Sequence, residues 1–506
     1  MALLLMNVLT RNFPALSLVL SMTLAVLGGV LTFSGFESSA MAMIKAASGV
    51  LFLLALCWGA LLLRGGDRIP VALEKAPILP AFTDTEGRLL VLLGVTLPIG
   101  EGPAYVAAGL LLLRILWRRD QQAVPLSPIF RKLSYGLVIW IGAGVIAYVV
   151  SGHGWIRPKE LGRILPFVVT PLVAFAALNL DSKWHRRAVI GFCYSLTLSC
   201  GVALFQYGVV VEADGVLMDL VGRFSSQNQL RAPGQGNRLV AGGFYFHRLK
   251  MAHVLIFGVS LIFCRQCFKE LSPRVRLVEA AVGVLFISVL FLTYTRAALL
   301  GVVGGAVVVL WFASRKWRLA SLLIALVIGG VAVSDLHIRE RVLSIGDSAA
   351  SSERSLIWSR AIEMIHDYPV GVGLGNYPSL IDSYYQGVAG AASIPRTYAH
   401  NLLLSAWAET GPLGLLGYLW LWVIPGFVCW NCLRNSSSTT DELKWVAATG
   451  LMVLISFWGV GLTHDVLYHK PVSLTFAAFI GLLCARISKG DSVNSIGPGL
   501  NQSPTS

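Results

Sequence analysis

What constrains this chain most is a series of apolar runs, each long enough to cross a bilayer, separated by basic loops. A helix that crosses the hydrocarbon core needs roughly 17–25 predominantly apolar residues. Such runs lie near 14–34, 46–64, 133–151, 161–180, 187–211, 277–294, 297–314, 319–335, 412–432, 444–463 and 470–487, with a shorter one at 251–266 flanked by basic residues. The region 87–118 holds two further short runs broken by Pro98-Ile99-Gly100-Glu101-Gly102-Pro103, and it reads either as a helical hairpin or as one broken helix. In lipid every backbone polar group must be satisfied within the segment, so runs of this length form helices. The expected fold class is all-α, a polytopic membrane protein of about 12–14 transmembrane helices. Composition fits: 56% of the 506 residues are hydrophobic and 13% are charged, against roughly 25% charged in soluble domains. The run at 14–33 precedes an Ala40-Met41-Ala42 site of cleavage type. It is longer than the roughly 7–15 residues of a signal peptide's apolar region, so it reads as the first membrane helix.

The formal charge of +14 is large for so few charged residues. The surplus is scattered between spans, which fits anionic membrane lipids or phosphorylated lipid substrates as partners and argues against nucleic acid. The eight cysteines do not suggest a disulfide framework. Cys57, Cys193, Cys200 and Cys484 fall inside apolar runs. The pairs Cys264/Cys267 and Cys429/Cys432 have C-x-x-C spacing but no flanking histidines, so they read as small apolar filler and no metal site is expected.

Loops with several Lys or Arg, at 64–88, 114–132, 183–187, 265–276, 315–318, 434–444 and after Arg486, fall on one side of the membrane if 87–118 is a hairpin. The positive-inside rule makes that side the cytoplasm. The chain then divides into N-terminal transmembrane helices at 1–211, an outer loop at 212–250, transmembrane helices at 251–335, a large outer loop at 336–400, C-terminal transmembrane helices at 401–487 and a disordered cytoplasmic tail at 488–506. Both termini are expected in the cytoplasm. No internal repeat is visible.

The outer segments break the positive-inside expectation. They carry Arg223, Arg231, Arg238, Arg248 and Lys250, then Arg339, Arg341, Arg354, Arg360 and Arg396, while Arg296 lies between two apolar runs. Long loops cross regardless of charge, but a charge at Arg296 needs an anionic ligand or an ion-pair partner. Apolar residues at helical spacing in 354–365 predict an amphipathic helix, ended before Pro369. Gly371-Val372-Gly373-Leu374-Gly375 follows, and reads either as a phosphate cradle or as a flexible turn. Then Ala399-His400-Asn401 leads into an apolar run containing Glu409-Thr410-Gly411-Pro412. Ionisable groups at membrane depth are costly and mark function. Each also has a plain structural reading: Asn401 as a helix cap, Glu409 as an ion-pair partner, His247 as an interfacial side chain, His464 and His469 as surface residues.

A base beside several cations, on a face where ATP is scarce, suits transfer of a sugar from a lipid diphosphate. The leaving diphosphate builds up negative charge, which arginine binds bidentately. Histidine is the natural base near neutral pH. His400 and Glu409 are nine residues apart, which is roughly 14 Å along a straight helix, so they cannot form a tight dyad there.

Four elements in this order resemble the O-antigen ligase and Wzy-type polymerase superfamily. They are Arg238 followed by Gly242-Gly243-Phe244 and His247; Thr295-Arg296-Ala297-Ala298-Leu299-Leu300-Gly301; Arg354-x-x-x-Trp358 with Pro369-x-Gly371-x-Gly373-x-Gly375-Asn376-Tyr377; and Ala399-His400-Asn401 through Glu409-Thr410-Gly411 and Gly414. Arg248 and Lys250 depart from the polar-small-apolar pattern that often follows in the family, which leaves the role of His247 open. The resemblance implies a GT-C-type glycosyltransferase of the bacterial inner membrane that needs no metal or other cofactor. Its active site would face the periplasm. The donor would be an undecaprenyl-diphosphate-linked glycan, and the acceptor a second glycan or lipid A-core, with a chain-length regulator as a possible partner. It implies catalytic roles for His400, Arg296 and Arg238, supported by Glu409, and substrate contacts from Arg231, His247, Arg354, Asn401 and Tyr377. Exopolysaccharide or O-antigen polymerisation is the favoured expectation, ligation to lipid A-core the alternative. From other classes, a lipid-linked oligosaccharide flippase fits less well, because no repeats or matching broken helices are seen, and a structural envelope partner is weaker still.

Overall fold

The computed structural model describes residues 84–117, 128–152, 158–208, 239–315, 317–319, 349–388, 397–434 and 440–495. Among them every regular element is helical. Helices α1 (Asp84–Thr96) and α2 (Glu101–Trp117) are followed by α3 (Pro128–Ser151), α4 (Pro158–Leu178), α5 (Ser182–Gly208), α6 (Arg248–Phe268), α7 (Pro273–Leu292) and α8 (Arg296–Leu310). Then come α9 (Ala349–Asp367), α10 (Tyr377–Tyr384), α11 (Leu402–Arg434), α12 (Asp441–Gly461) and α13 (Lys470–Ser495). Seven of these are long and apolar enough to cross a membrane, and the apolar stretches Leu165–Leu178 and Arg296–Leu310 are shorter. The protein is thus an all-helical, multi-pass membrane protein. The expected runs near 14–34 and 46–64, and all but the first residue of the run near 319–335, lie outside the described residues, and with them part of the expected total of about 12–14.

The expected elements differ in their ends. The region 87–118 is two helices, with Leu97 and Gly100 still turning back onto Leu93 and Thr96 through backbone bonds of 3.1 and 3.2 Å. The run at 251–266 lengthens to the 21 residues of α6. The segment 354–365 is the middle of α9, whose Ile357, Ala361 and Met364 are buried. Helix α13 continues to Ser495, into the stretch expected to be a disordered tail.

The chain forms two compact units. The smaller one contains α1, the first part of α2, α5 and the first part of α6, and in it the turn at 242–247 is bonded to Leu97 beyond α1 and to Ser199 and Gln206 of α5. The larger one contains α3, α4, α8, α9 and the C-terminal helices. Within it α13 packs along α4, α11 along α3, and α8 along α12. Small residues allow these approaches. A Cβ on Gly301 or Gly305 of α8 would stand 2.6 Å from the Ser456 or Met452 carbonyl of α12. A Cβ on Gly417 of α11 would stand 2.6 Å from the Trp140 backbone nitrogen of α3. In lipid, where apolar helices gain little by leaving the solvent, such close contact supplies much of the association.

Aromatic rings fill the space that remains: Trp140 packs on Phe167 at 5.0 Å and on Tyr418 at 5.3 Å, and Phe257 on Phe457 at 5.0 Å. At the basic end, Arg265 chelates the Glu279 carboxylate with bonds of 2.7 to 3.2 Å and lies 5.1 Å over the Trp445 ring. This charged latch ties the ends of α6 and α7 together across the basic loop at 265–276.

The α8–α12 seam gives a direct test. Gly305→Leu is expected to lower stability by about 1–3 kcal/mol through overpacking, while leucine at Gly304, where a Cβ meets nothing within 4 Å, is tolerated. Thermal unfolding of the two purified variants in detergent checks the contrast.

Candidate functional site

The centre of the larger unit is a break in α11. The sequence Thr410-Gly411-Pro412 cannot continue a helix: Pro412 has no N–H to offer the Ala408 carbonyl, and Gly411 takes φ 64°, ψ −173°. The carbonyls left over are met by the glycine-rich loop. Val372 N–H donates to the Ala408 carbonyl and Gly373 N–H to the Glu409 carbonyl, each at 2.9 Å. The approach is close enough that a Cβ on Gly371 would stand 2.6 Å from the Gly411 nitrogen, and one on Gly411 would stand 2.5 Å from the Val370 carbonyl. Gly371 and Gly373 themselves have φ of 96° and 91°.

This corrects both readings of the Gly-x-Gly-x-Gly run. It is no phosphate cradle, because the N–H groups of Gly371, Val372, Gly373 and Asn376 are already bonded to backbone carbonyls. Nor is it a loose turn: Val372, Leu374 and Asn376 are buried, and the Asn376 side chain donates to the Val372 carbonyl at 2.9 Å. The span expected at 412–432 is the second half of α11, and the outer half, 402–410, is the part that positions the site.

Asn401 starts that outer half. Its side-chain oxygen accepts the Leu403 and Leu404 N–H groups at 3.0 and 3.1 Å, and its amide donates to the Leu462 carbonyl at 3.2 Å. Of its two expected roles, helix cap and substrate contact, the structure shows the cap. His400 precedes it with φ 49°, a strained conformation for a non-glycine residue. Burial, and then the charge of Arg354 on α9, lower its pKa to about 4. Arg354 itself is exposed. Tyr377 is 1% exposed and packs with Ile357, Met364 and Ile381, so it is a core residue and does not present itself to a substrate.

Glu409 is 3% exposed. It lines a cavity of about 40 Å³ with Trp140, Phe167, Leu374, Tyr418 and Tyr468. That is room for water. His400 precedes α11, and Glu409 lies among its buried residues.

Arg296 is the first residue of α8 and is exposed. Its place relative to His400 follows from the α8–α12 seam. Gly301 meets Ser456 and Gly305 meets Met452, so the helices run antiparallel. Five residues back, Arg296 stands level with the end of α12 at Gly461. That end is where Leu402 packs against Gly461 and where Asn401 bonds to Leu462. Arg296 and the His400 turn therefore share one end of α12.

The smaller unit holds the His247 element. Gln206 of α5 clamps the turn, accepting the Gly242 N–H and donating to the Gly243 carbonyl, both at 3.0 Å. Burial first, then Lys250 and Arg248, lower the His247 pKa to about 4. Arg231 and Arg238 lie outside the described residues. Among the described residues, each of the three positive-φ non-glycine residues, Phe246, Tyr294 and His400, lies in or within two residues of a singled-out motif residue: His247, Arg296 and His400 itself. Backbone strain of this kind collects at functional sites.

Sequence reading misses Gln206 and Asp465. Asp465 is fully buried and accepts the Ser405 hydroxyl at 2.7 Å. The signal that could find both is a polar side chain in or beside an apolar run, the same signal that singles out His400 and Glu409. The expectation that His464 and His469 are mere surface residues is also corrected. Their Nε2 atoms are 3.3 Å apart, and the His464 ring centroid is 5.7 Å from that of His400.

The helix break makes a prediction. Gly371→Ala combines a strained φ with a backbone clash and is expected to cost about 1–3 kcal/mol and to abolish function. Gly387→Ala, at φ 74° with open space around the new Cβ, carries the strain alone and should cost only about 1 kcal/mol. Melting temperatures of both variants check the difference.

No curated protein matches the chain. Residues 281–419 of this multi-pass membrane protein, from α7 through the break in α11, match the O-antigen ligase family, which supports the resemblance to the O-antigen ligase and polymerase superfamily.

Proposed function

We propose that the protein transfers a glycan from an undecaprenyl-diphosphate carrier to an acceptor hydroxyl on the periplasmic face of the inner membrane. The observation that carries this reading is the pairing at one end of α12. There a histidine kept neutral by burial and by Arg354 shares that end with Arg296, which stands at the N-terminus of α8. A helix N-terminus adds positive potential to the guanidinium, which suits a diphosphate. The neutral imidazole takes the proton from the acceptor hydroxyl. The acceptor oxygen forms its bond to the anomeric carbon as the bond from that carbon to the diphosphate oxygen breaks. The lipid diphosphate departs with the bonding electrons, its charge held by Arg296 and, by resemblance, Arg238. Glu409, buried in its cavity, supports the outer half of α11 and touches no substrate in this scheme. No metal is needed, in the manner of GT-C enzymes.

The matched family favours ligation to lipid A-core. Polymerisation onto a second lipid-linked repeat unit uses the same chemistry. His400→Ala and Arg296→Ala are each expected to abolish glycan transfer while the protein still inserts; normal yield and chain length in both would overturn the proposal. The accumulating species separates the two acceptors. A ligase variant leaves long polymer on the carrier, and a polymerase variant leaves single repeat units.

The charge environment of His400 sets a pH dependence. Its folded pKa of about 4 lies below the ordinary histidine value of 6.5. The unfolded chain therefore takes up this proton first as pH falls, and the folded state loses stability between about 6.5 and 4. The acid limb of kcat/KM that reports this base is expected near pH 4. Arg354→Gln removes one of its two causes and moves the limb towards 6.5, while Arg354→Lys leaves it in place. A limb that does not move in Arg354→Gln would show that Arg354 has no part in keeping His400 neutral.

A further inference from the structure

Beyond the matched domain, the turn between α12 and α13 builds a surface against His400 that the transfer chemistry above does not use. Tyr398 and Tyr468 lie with ring centroids 5.2 Å apart and planes 32° apart. His400, His464 and His469 form a second run, with planes 30° and 35° apart and centroids 5.7 and 5.5 Å apart. The two runs are steeply inclined to one another: Tyr398 makes 63° with His400 and 80° with His464. Phenol and imidazole rings thus meet steeply, edge to face, in a corner. All five side chains are partly exposed.

The corner is fixed from below. Buried Asp465 accepts the Ser405 hydroxyl at 2.7 Å, and the Ser405 oxygen accepts the Ala399 N–H at 3.2 Å. Asn401 ties the same turn to the Leu462 carbonyl. Tyr468 also lines the cavity that holds Glu409.

We infer that Tyr398 and Tyr468, with His464 and His469, form a binding subsite for a pyranose ring of the acceptor glycan, placed so that one of its hydroxyls reaches His400. A sugar ring has an apolar C–H face and a polar hydroxyl edge. The electron-rich face of a phenol takes the first. The imidazole nitrogens, donors or acceptors by tautomer, take the second. Convergent polar groups beside an apolar wall are what orient a bound small molecule. The ring belongs to the acceptor, because the acceptor supplies the hydroxyl that His400 deprotonates. The subsite therefore rests on the proposed function. His464 and His469 then act as positioning residues, their shared 3.3 Å contact fixing which nitrogen of each ring faces the sugar.

The test compares Tyr398→Leu, which keeps bulk but has no ring face, with Tyr398→Phe and Tyr398→Trp, which keep one. Full-length protein in detergent is assayed with core oligosaccharide and, separately, with released repeat-unit oligosaccharide of the producing strain. Tyr398→Leu is expected to raise the acceptor KM roughly three- to tenfold with kcat nearly unchanged, and Phe or Trp restores it. Direct titration of the same oligosaccharides should show the same loss in Kd with no enzyme turnover. An unchanged KM and Kd in Tyr398→Leu, or a loss of kcat that Phe and Trp fail to restore, would overturn the subsite. His400→Ala separates the two ideas: full transfer in that variant sinks the proposed function, while its loss together with a normal acceptor Kd for Tyr398→Leu sinks the subsite alone.

Discussion

The break in α11 at Thr410-Gly411-Pro412 is the feature on which the larger unit depends. A proline inside a helix leaves one carbonyl without a donor, and in a membrane no water replaces it. In this chain the Val372 and Gly373 N–H groups fill the gap. The glycine run and the helix break are thus two halves of a single device, far apart in sequence. The run threads between α3 and α11, where a Cβ on Gly373 would strike the Tyr148 ring and the Ser151 hydroxyl reaches the Val372 carbonyl at 3.3 Å. With the break closed this way, the outer half of α11 is held rigidly enough to carry His400 and Asn401 at its start and Glu409 near its end.

The same arrangement explains how cations are tolerated among apolar segments. Arg354 stays exposed on α9, and its charge acts on His400 by keeping it neutral. Arg296 stands exposed at the start of α8. Neither guanidinium is buried inside the protein, so neither bears the cost of a charge packed among apolar side chains. At the basic end, Arg265 and Lys269 are joined to Glu279 and Glu442.

Much of the fold is legible from hydropathy. The spans near 133–151, 187–211, 277–294, 444–463 and 470–487 appear as α3, α5, α7, α12 and α13, with ends moved by a few residues. Helix ends move because polar residues such as Ser182 and Asp441 enter helices that apolar counting excludes. The joining of 402–410 to 412–434 is not legible, since Pro412 reads as a stop. Of the candidate site, His400 feels the charge of Arg354, Asn401 caps, Tyr377 is core, and His464 belongs beside His400. Spacing along the chain carries no information about such meetings, because the whole of α11 and α12 intervenes between His400 and His464.

The sequence by itself determined that the chain is a helical membrane protein, that arginines gather in the long segments between its apolar runs, and which histidine stands where a polar loop enters an apolar helix. Those follow from the cost of burying charge and unpaired backbone groups in lipid, which acts locally and leaves its mark on every segment. Tertiary structure decided what the glycines do, how the His400 imidazole stays neutral, and that two tyrosines and two further histidines stand around it. Those depend on which carbonyl, charge or ring comes within a few ångströms after the helices pack, and only the packed chain brings them together.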